Sequence, residues 1–220
     1  MADGTFVKIK TLDISENMLK TLPNEIFSMV NTKTLIASRC NLQRIPNMQT
    51  LDKLTNLTLD NNDLEAGGFG LLPISILKLN LSFNHLQTFP VSITTLTELI
   101  ELDLCNNRLD TIEGIGNLIN LVVLVLDDNN LKGLNNEFGA LTKLKRLSVK
   151  RNKLGPRSKE DSNEQSISAE LFTNTNLDDL NLEGNTKLTK AHVLSMNGID
   201  AFMERRRKSK DKNFKGGGNS

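Results

Sequence analysis

Histidine and cysteine, the residues that most often act as catalytic bases, nucleophiles or metal ligands, are scarce in this sequence. Its 220 residues include two histidines, His85 and His192, and two cysteines, Cys40 and Cys105. No motif places a nucleophile beside either histidine, and such a pair needs a contact near ~3 Å. The glycines at 67–70 do not fit the phosphate-binding pattern G-x-x-x-x-G-K-[ST]. We therefore expect no catalytic residue, no metal site and no cofactor.

The overall charge and the longest apolar run exclude other classes of protein. Lys and Arg number 27 and Asp and Glu 26, which gives a net charge of +1. So small a charge provides no general attraction to nucleic acid or membrane. The longest apolar run, 121–126, is far shorter than the roughly 20 residues that span a bilayer. The first residues lack the pattern of a secretory leader, so we expect a cytoplasmic protein.

One pattern of leucines and asparagines recurs along most of the chain. The segment 99–109 fits L-x-x-L-x-L-x-x-N-x-L at every fixed position. Steps of 22 or 23 residues, and one step of 33, separate the eight copies that begin at Ile9, Thr32, Leu54, Ile76, Leu99, Leu121, Leu144 and Leu177. This recurrence indicates eight leucine-rich repeats, which we number 1 to 8.

Each fixed position of the repeat has a structural reason. The alternating x-L-x-L stretch predicts a short strand with one buried face. The asparagine at the ninth position follows that strand, where its amide can donate to and accept from the backbone of the turn. Cys40 replaces it in repeat 2 and is a weak donor, so we expect a less stable rung there. The asparagine ladder comprises Asn17, Asn62, Asn84, Asn107, Asn129, Asn152 and Asn185.

The repeats predict an α/β fold of the solenoid type. No repeat can bury its apolar residues alone, so neighbouring repeats must stack on one another. Proline after the turn, as at Pro23 and Pro90, ends the extended segment. We expect about eight repeats of 22–23 residues, a concave parallel β-sheet, and short helical or irregular turns on the convex side.

The sequence outside the regular pattern predicts the remaining segments. We expect residues 1–8 to cover the N-terminal edge of a repeat array that spans 9–189. The polar insertion at 155–168 is expected to be a surface loop, with a phosphorylated regulatory loop as the alternative. Apolar residues within 190–208 predict a helical cap, and 209–220 is expected to be a flexible basic tail.

The basic run from Arg205 to Lys212 leaves three interpretations open. It is a solvated helix end that complements the helix dipole, a nuclear-localisation sequence, or a patch for acidic lipid or RNA. No aromatic residue is interleaved with the basic ones, so we expect no specific binding of nucleic acid.

The repeat length and the Leu-Pro pair after the turn resemble the intracellular Ras-group class of leucine-rich repeat proteins. The segments 180–185 and 198–205 extend the resemblance, which covers the whole chain at the level of its repeats. It implies an intracellular, non-enzymatic binding module. Proteins with this ending begin with Met-Gly, the acceptor for myristoylation, whereas Ala2 follows Met1 here. We therefore expect no stable membrane anchor.

The exposed side of the predicted sheet offers a candidate binding surface. Val123 and Val125 are the only adjacent apolar pair at the third and fifth repeat positions, and charged residues surround them. An apolar centre with a charged rim is typical of protein interfaces. The alternative is that these valines are simply good strand residues and that Phe83 packs against its neighbours. The candidate partner-binding residues are Phe83, Glu101, Asp103, Val123, Val125, Asp127, Asp128, Arg146, Lys150 and Arg151.

The sequence therefore predicts a non-enzymatic scaffold or adaptor that is monomeric alone and binds protein partners on its concave face. Two alternatives stay open. One is a permanent structural subunit of a ciliary or cytoskeletal assembly. The other, by analogy only, is a regulator that docks on a phosphatase or a small GTPase.

Overall fold

A computed structural model describes residues 8–156 and 166–216, and a single parallel β-sheet runs through it. The eight strands lie in chain order, and each begins two residues after the first position of its repeat. The predicted leucine-rich repeat solenoid with a concave parallel sheet is confirmed. The strands are β1 Thr11–Asp13, β2 Thr34–Ile36, β3 Asn56–Thr58, β4 Lys78–Asn80, β5 Glu101–Asp103, β6 Val123–Val125, β7 Arg146–Ser148 and β8 Asp179–Asn181.

The strands stack without any shift in register. Leu102 of β5 lies opposite Leu79 of β4 and Leu124 of β6, and the same correspondence holds along the whole sheet. The middle residue is buried in β2 to β7, whereas Leu12 and Leu180 in the end strands are only partly buried. The end strands pair with one neighbouring strand each, whereas every inner strand pairs with two.

Short 3₁₀ helices and irregular turns close each repeat on the convex side. Two of the 3₁₀ helices directly follow a proline, Pro23 or Pro90, whose φ of −63° or −64° is fixed by its ring. The five 3₁₀ helices in the described residues are Asn24–Ser28, Ala66–Gly68, Val91–Ile93, Ile115–Asn117 and Asn136–Ala140.

One continuous hydrophobic core runs between the sheet and the convex turns. Repeat 5 is typical, because its four fixed leucines, Leu99, Leu102, Leu104 and Leu109, are at most 1% exposed. Each of these leucines contacts equivalents on both sides, so the core belongs to the stack rather than to any one repeat.

Three α-helices follow β7: α1 Ala169–Thr173, α2 Lys190–Leu194 and α3 Ile199–Gly216. Phe202 of α3 packs against Phe172 of α1, with the ring centroids 6.1 Å apart. Helix α3 continues to Gly216, so the boundary expected at 208 between cap and tail falls inside a helix.

Arg205 has a structural role that the interpretations of the basic run did not include. Its guanidinium donates from Nε to the carbonyl of Leu177 at 2.9 Å and from Nη2 to the carbonyl of Phe172. The second carbonyl belongs to the last turn of α1, where no backbone donor is available within the helix. Partial burial lowers the pKa of Arg205. Arg206, Arg207 and Lys208 are exposed, so only they can form a solvated basic face among the described side chains.

Several predictions lie outside the described residues. They concern residues 1–7 of the N-terminal cover expected at 1–8, the effect of Ala2 on membrane anchoring, residues 157–165 of the expected surface loop, and residues 217–220 of the expected tail.

Leu104 provides a test of the core. We expect Leu104→Ala to lower the free energy of unfolding by about 2–5 kcal/mol, because a cavity forms in contact with two neighbouring repeats. Chemical denaturation followed by circular dichroism measures this change. Met18→Ala is the control, since Met18 is 93% exposed and its loss should change stability by less than about 0.5 kcal/mol. Equal effects of the two substitutions would contradict the assigned core.

Candidate concave binding surface

The asparagine ladder holds the strands that display the candidate residues. Asn107 donates from Nδ2 to the carbonyls of Leu104 in its own repeat and Leu81 in the preceding one, at 3.1 and 2.9 Å. Its Oδ1 accepts from the backbone N–H of Leu86 at 3.0 Å. Asn107 therefore ties its repeat to the one before it. Bonds of the same kind to the preceding repeat are made by Asn62, Asn84, Asn129, Asn152 and Asn185.

Cys40 replaces the amide of the ladder with a different set of bonds. Its Sγ donates to the carbonyls of Ile14 and Ser38, at 3.2 and 3.4 Å. An asparagine in place of Cys40 would accept a hydrogen bond from Leu19 N–H with its side-chain oxygen. Here Leu19 N–H instead donates to the backbone carbonyl of Cys40 at 3.0 Å. The thiol supplies only the donor, and the main chain supplies the acceptor. Lower stability of this rung stays a prediction.

The eighth residue of every repeat lies in the left-handed region of backbone conformation. Such a conformation costs about 1–2 kcal/mol for residues other than glycine, asparagine and aspartate. It turns the eighth side chain outward at the edge of the sheet, and Phe83 is consequently 49% exposed. The residues concerned have φ between 48° and 77° and are Glu16, Arg39, Asn61, Phe83, Asn106, Asp128, Arg151 and Gly184.

Two depressions on the concave face meet at Val123 and Val125, both of which are half-buried. One has a volume of about 360 Å³ and extends from β2 to β6. The other has a volume of about 250 Å³ and extends from β6 to β8. Strand register places Val125 between Asp103 and Ser148. The candidate residues that line the depressions are Glu101, Asp103, Val123, Val125, Arg146 and Lys150; Phe83, Asp127, Asp128 and Arg151 do not line them.

Asp128 and Arg151 bind each other rather than standing as opposite charges on separate flanks. Arg151 donates from Nε and Nη2 to the two carboxylate oxygens of Asp128, each at 2.6 Å. These bonds lower the pKa of Asp128 and raise that of Arg151. Glu101 is likewise paired, since Lys78 Nζ lies 2.9 Å from its Oε1. Three of the charged residues expected around the valines, Glu101, Asp128 and Arg151, therefore already have a charged partner within the chain.

Asp60 is a part of this surface that the sequence interpretation missed. It occupies the seventh position of repeat 3, as Asp127 does in repeat 6, and that shared position is the feature that identifies it. Burial raises the pKa of Asp103, and the negative charges of Asp127 and Asp60 raise it further, although the bond from Cys105 N–H opposes the shift. Asp60 and Asp127 thus both disfavour the charged form of Asp103.

Each of the two histidines lies beside a polar neighbour, and Cys105 is partly buried. Within residues 8–156 and 166–216, no group of His, Cys, Asp and Glu could hold a metal ion. His85 lies 3.5 Å from Asp63, and His192 caps α2 reciprocally with Thr189. Burial raises the pKa of Cys105 to about 11, so its thiol stays protonated at neutral pH. No helix in the same part of the chain is long and apolar enough to span a membrane.

Comparisons with known proteins return repeat-containing proteins of several kinds. No family model matches the sequence. Toll-like receptor 10 of Bos taurus is 32% identical over 149 residues, which is 66% of this chain and 18% of that protein. Adenylate cyclase of Schizosaccharomyces pombe is 30% identical over 158 residues, 66% of this chain and 9% of the enzyme. A leucine-rich repeat protein of Leptospira interrogans superposes with a TM-score of 0.63 at 30% identity, over 81% of this chain and 44% of that one. The chain spans less than half the length of each.

Asn107 allows a test of the ladder. We expect Asn107→Ala to lower the free energy of unfolding by about 1–3 kcal/mol, because it leaves buried backbone groups of two repeats without partners. Asn17→Ala is the matched control, since Asn17 is exposed and bonds only within its own repeat. Urea denaturation of both variants measures the difference. A control substitution as costly as Asn107→Ala would rule out this role for the inter-repeat bonds.

Asp103 and Asp13, which occupy the same position in repeats 5 and 1, allow a test of the electrostatics. The pKa of Asp103 is higher in the folded chain than in the unfolded chain. The ionised carboxylate therefore lowers the stability of the folded chain at pH values above the folded-state pKa. This effect disappears below the pKa of the unfolded chain, where the carboxyl group is protonated in both states. Asp103→Asn should therefore raise the melting temperature at pH 7, with a gain that disappears as the pH falls towards 3.

Asp13→Asn should do the reverse, because hydrogen bonds from Ser15 lower the pKa of Asp13 and its charge favours folding at neutral pH. Melting temperatures of both variants between pH 3 and pH 7 provide the measurement. Shifts of the same sign at pH 7 would contradict the environments described above.

Proposed function

The chain is a leucine-rich repeat protein, and on that premise we propose that it is a non-enzymatic scaffold that binds protein partners on its concave face. The observation that carries the proposal is the pair Val123 and Val125, which stay half-exposed where the two depressions meet. Asp103 lies on one side of this pair and Arg146 on the other. Apolar contact at the centre with charges around it is the arrangement of an interface hot spot.

The shape and rigidity of the surface favour a protein partner over a small molecule. More of the residues that line the depressions are polar or charged than apolar, whereas pockets for small molecules are predominantly apolar. The strands are held by ladder bonds on both sides, so their backbone loses little freedom when a partner binds. A large, pre-formed and mixed surface suits contact with another folded protein.

The comparisons support binding in general without identifying a partner. A receptor and a cyclase both match the repeats, so the shared segment suits proteins of unlike activity. We place this chain inside the cell, in the cytoplasm, because its C-terminal segment resembles leucine-rich repeat-containing protein fifty-seven. We propose that it is monomeric when alone and uses no cofactor.

Val125 provides the test of this function. We expect Val125→Asp to abolish capture of partner proteins while the circular dichroism spectrum stays that of the wild type, because a desolvated charge replaces the apolar centre. Ile36→Asp is the matched control, since Ile36 is half-buried at the same repeat position four strands away. Affinity purification from cells, followed by quantitative mass spectrometry, compares the three proteins. Wild-type capture by a folded Val125→Asp protein would overturn the proposal and move the search to the convex side.

A further inference from the structure

Ion pairs within the chain neutralise some of the charged side chains on the concave side. Lys78 is paired with Glu101 in neighbouring strands, and Asp128 is paired with Arg151 at the edge. A ligand that contacts one of these groups must compete with the partner it already has. The charges that remain without an ion pair therefore determine which partner the surface favours.

The charge left over repeats 3 to 6 is acidic. In the described part of the chain, no lysine or arginine lies within 4.0 Å of the carboxylates of Asp60, Asp103 or Asp127. Their hydrogen bonds come from neutral donors, namely the hydroxyl of Ser38, the side-chain amide of Asn61, and the backbone N–H groups of Cys105 and Lys150. Neutral donors orient a carboxylate but leave its net charge in place. A cation placed over Asp103 would be attracted by all three carboxylates.

The charge left over repeat 7 is basic. Arg146 and Lys150 line the smaller depression, and neither forms an ion pair among the described residues. Ser148 lines the same depression, and its buried hydroxyl has no hydrogen-bond partner in the described part. Asp179 of β8 lines the same depression opposite Arg146, so complementarity to an anionic group is confined to the part of this side formed by Arg146, Ser148 and Lys150.

The valines lie between these two regions in strict register. Asp103, Val125 and Ser148 occupy equivalent positions of β5, β6 and β7, and Val123 lies directly beside Arg146. Adjacent strands are about 4.8 Å apart, so the row from Asp103 to repeat 7 covers about 10 Å. Measured across the strands, the surface thus presents acid on β5, apolar side chains on β6 and base on β7 at nearly equal intervals, with Arg146 two residues before Ser148 along β7.

We propose that this row selects an α-helix of a partner protein that carries a cationic, an apolar and an anionic side chain at positions i, i+4 and i+7. The proposal rests on the function proposed above, because it names the partner chemistry of the same surface. Residues i and i+4 of a helix are about 6 Å apart along its axis, and i and i+7 are about 10.5 Å apart. An extended strand repeats one face every ~6.7 Å and reaches about 13 Å over the same three side chains, which exceeds the ~10 Å that separates β5 from β7 across the sheet.

A displayed library of helical peptides tests the inference. The probe is an alanine-rich helix of 18 residues, randomised at i, i+4 and i+7 and selected against the full chain. We expect enriched helices to carry Arg or Lys at one end, an aliphatic residue in the middle, and Asp or Glu at the other end. The order is read in either chain direction, since a helix can lie on the row both ways.

Charge reversal then shows whether Asp103 is the group that is recognised. Asp103→Lys should weaken an enriched peptide at least tenfold, measured by fluorescence polarisation. The same peptide with its cation replaced by Glu should recover most of that loss, which a misfolded variant would not allow. Asp13→Lys, at the same repeat position in repeat 1, is the control and should leave the affinity unchanged.

The outcomes separate this inference from the function on which it rests. Enriched peptides that lose affinity for Val125→Asp but show no charge preference overturn the inference and leave the proposed function standing. Peptides insensitive to Val125→Asp, or no enrichment at all, overturn the inference as well, and insensitivity also removes the concave site. Sedimentation of the chain alone is the last control: a dimer that Asp103→Lys dissociates would place a second copy on this row and refute the partner helix.

Discussion

The structure depends on one constraint: the backbone groups at the turn after each strand are buried and must be hydrogen-bonded. A buried amide or carbonyl without a partner costs roughly 1–3 kcal/mol, and this turn recurs in all eight repeats. An asparagine side chain satisfies a donor and two acceptors at once, and it reaches the preceding repeat to do so. The bond that satisfies the turn is therefore also the bond that aligns neighbouring repeats. At Cys40 the side chain keeps only the donor function, since its thiol donates to the carbonyl of Ile14. The backbone carbonyl of Cys40 replaces the side-chain acceptor. The donor is therefore the part of this role that the side chain must supply.

The same constraint separates positions that the fold dictates from positions that it leaves free. Strands aligned without any shift place the third and fifth residues of each repeat in straight rows across the sheet. The left-handed turn directs the eighth residue to the edge in every repeat, whether it is a glycine, an arginine or a phenylalanine. Phe83 is exposed there because the backbone conformation leaves it no route into the core. A binding surface on such a scaffold is encoded by single residues on a fixed grid.

The redundancy of the repeats explains how much could be predicted. Eight copies of one pattern gave the strands, their order and the grid of exposed positions, and each strand begins at the same point of its copy. Contacts between copies were out of reach: Asp128 and Arg151 are 23 residues apart, and their pairing depends on side-chain conformations that the pattern does not specify. Asp60 was missed because candidate residues were sought around exposed apolar residues, and repeat 3 has none at its third or fifth position. The structural role of Arg205 was missed because the sequence does not distinguish it from the basic residues beside it. Only the structure shows that its guanidinium donates hydrogen bonds to backbone carbonyls.

The contrast between Glu101 and Asp103 indicates what a partner would gain from this surface. Both lie on β5, yet Glu101 already has Lys78 at 2.9 Å, whereas Asp103 is partly desolvated and repelled by Asp60 and Asp127. A partner's cation over Glu101 must displace Lys78, so the net gain is close to that of an exchange. A cation over Asp103 relieves repulsion and compensates a loss of hydration that folding has already imposed. On the proposed binding surface, we therefore expect the strongest attraction for a partner's cation at Asp103, beside the valine pair, and not at the more exposed carboxylates.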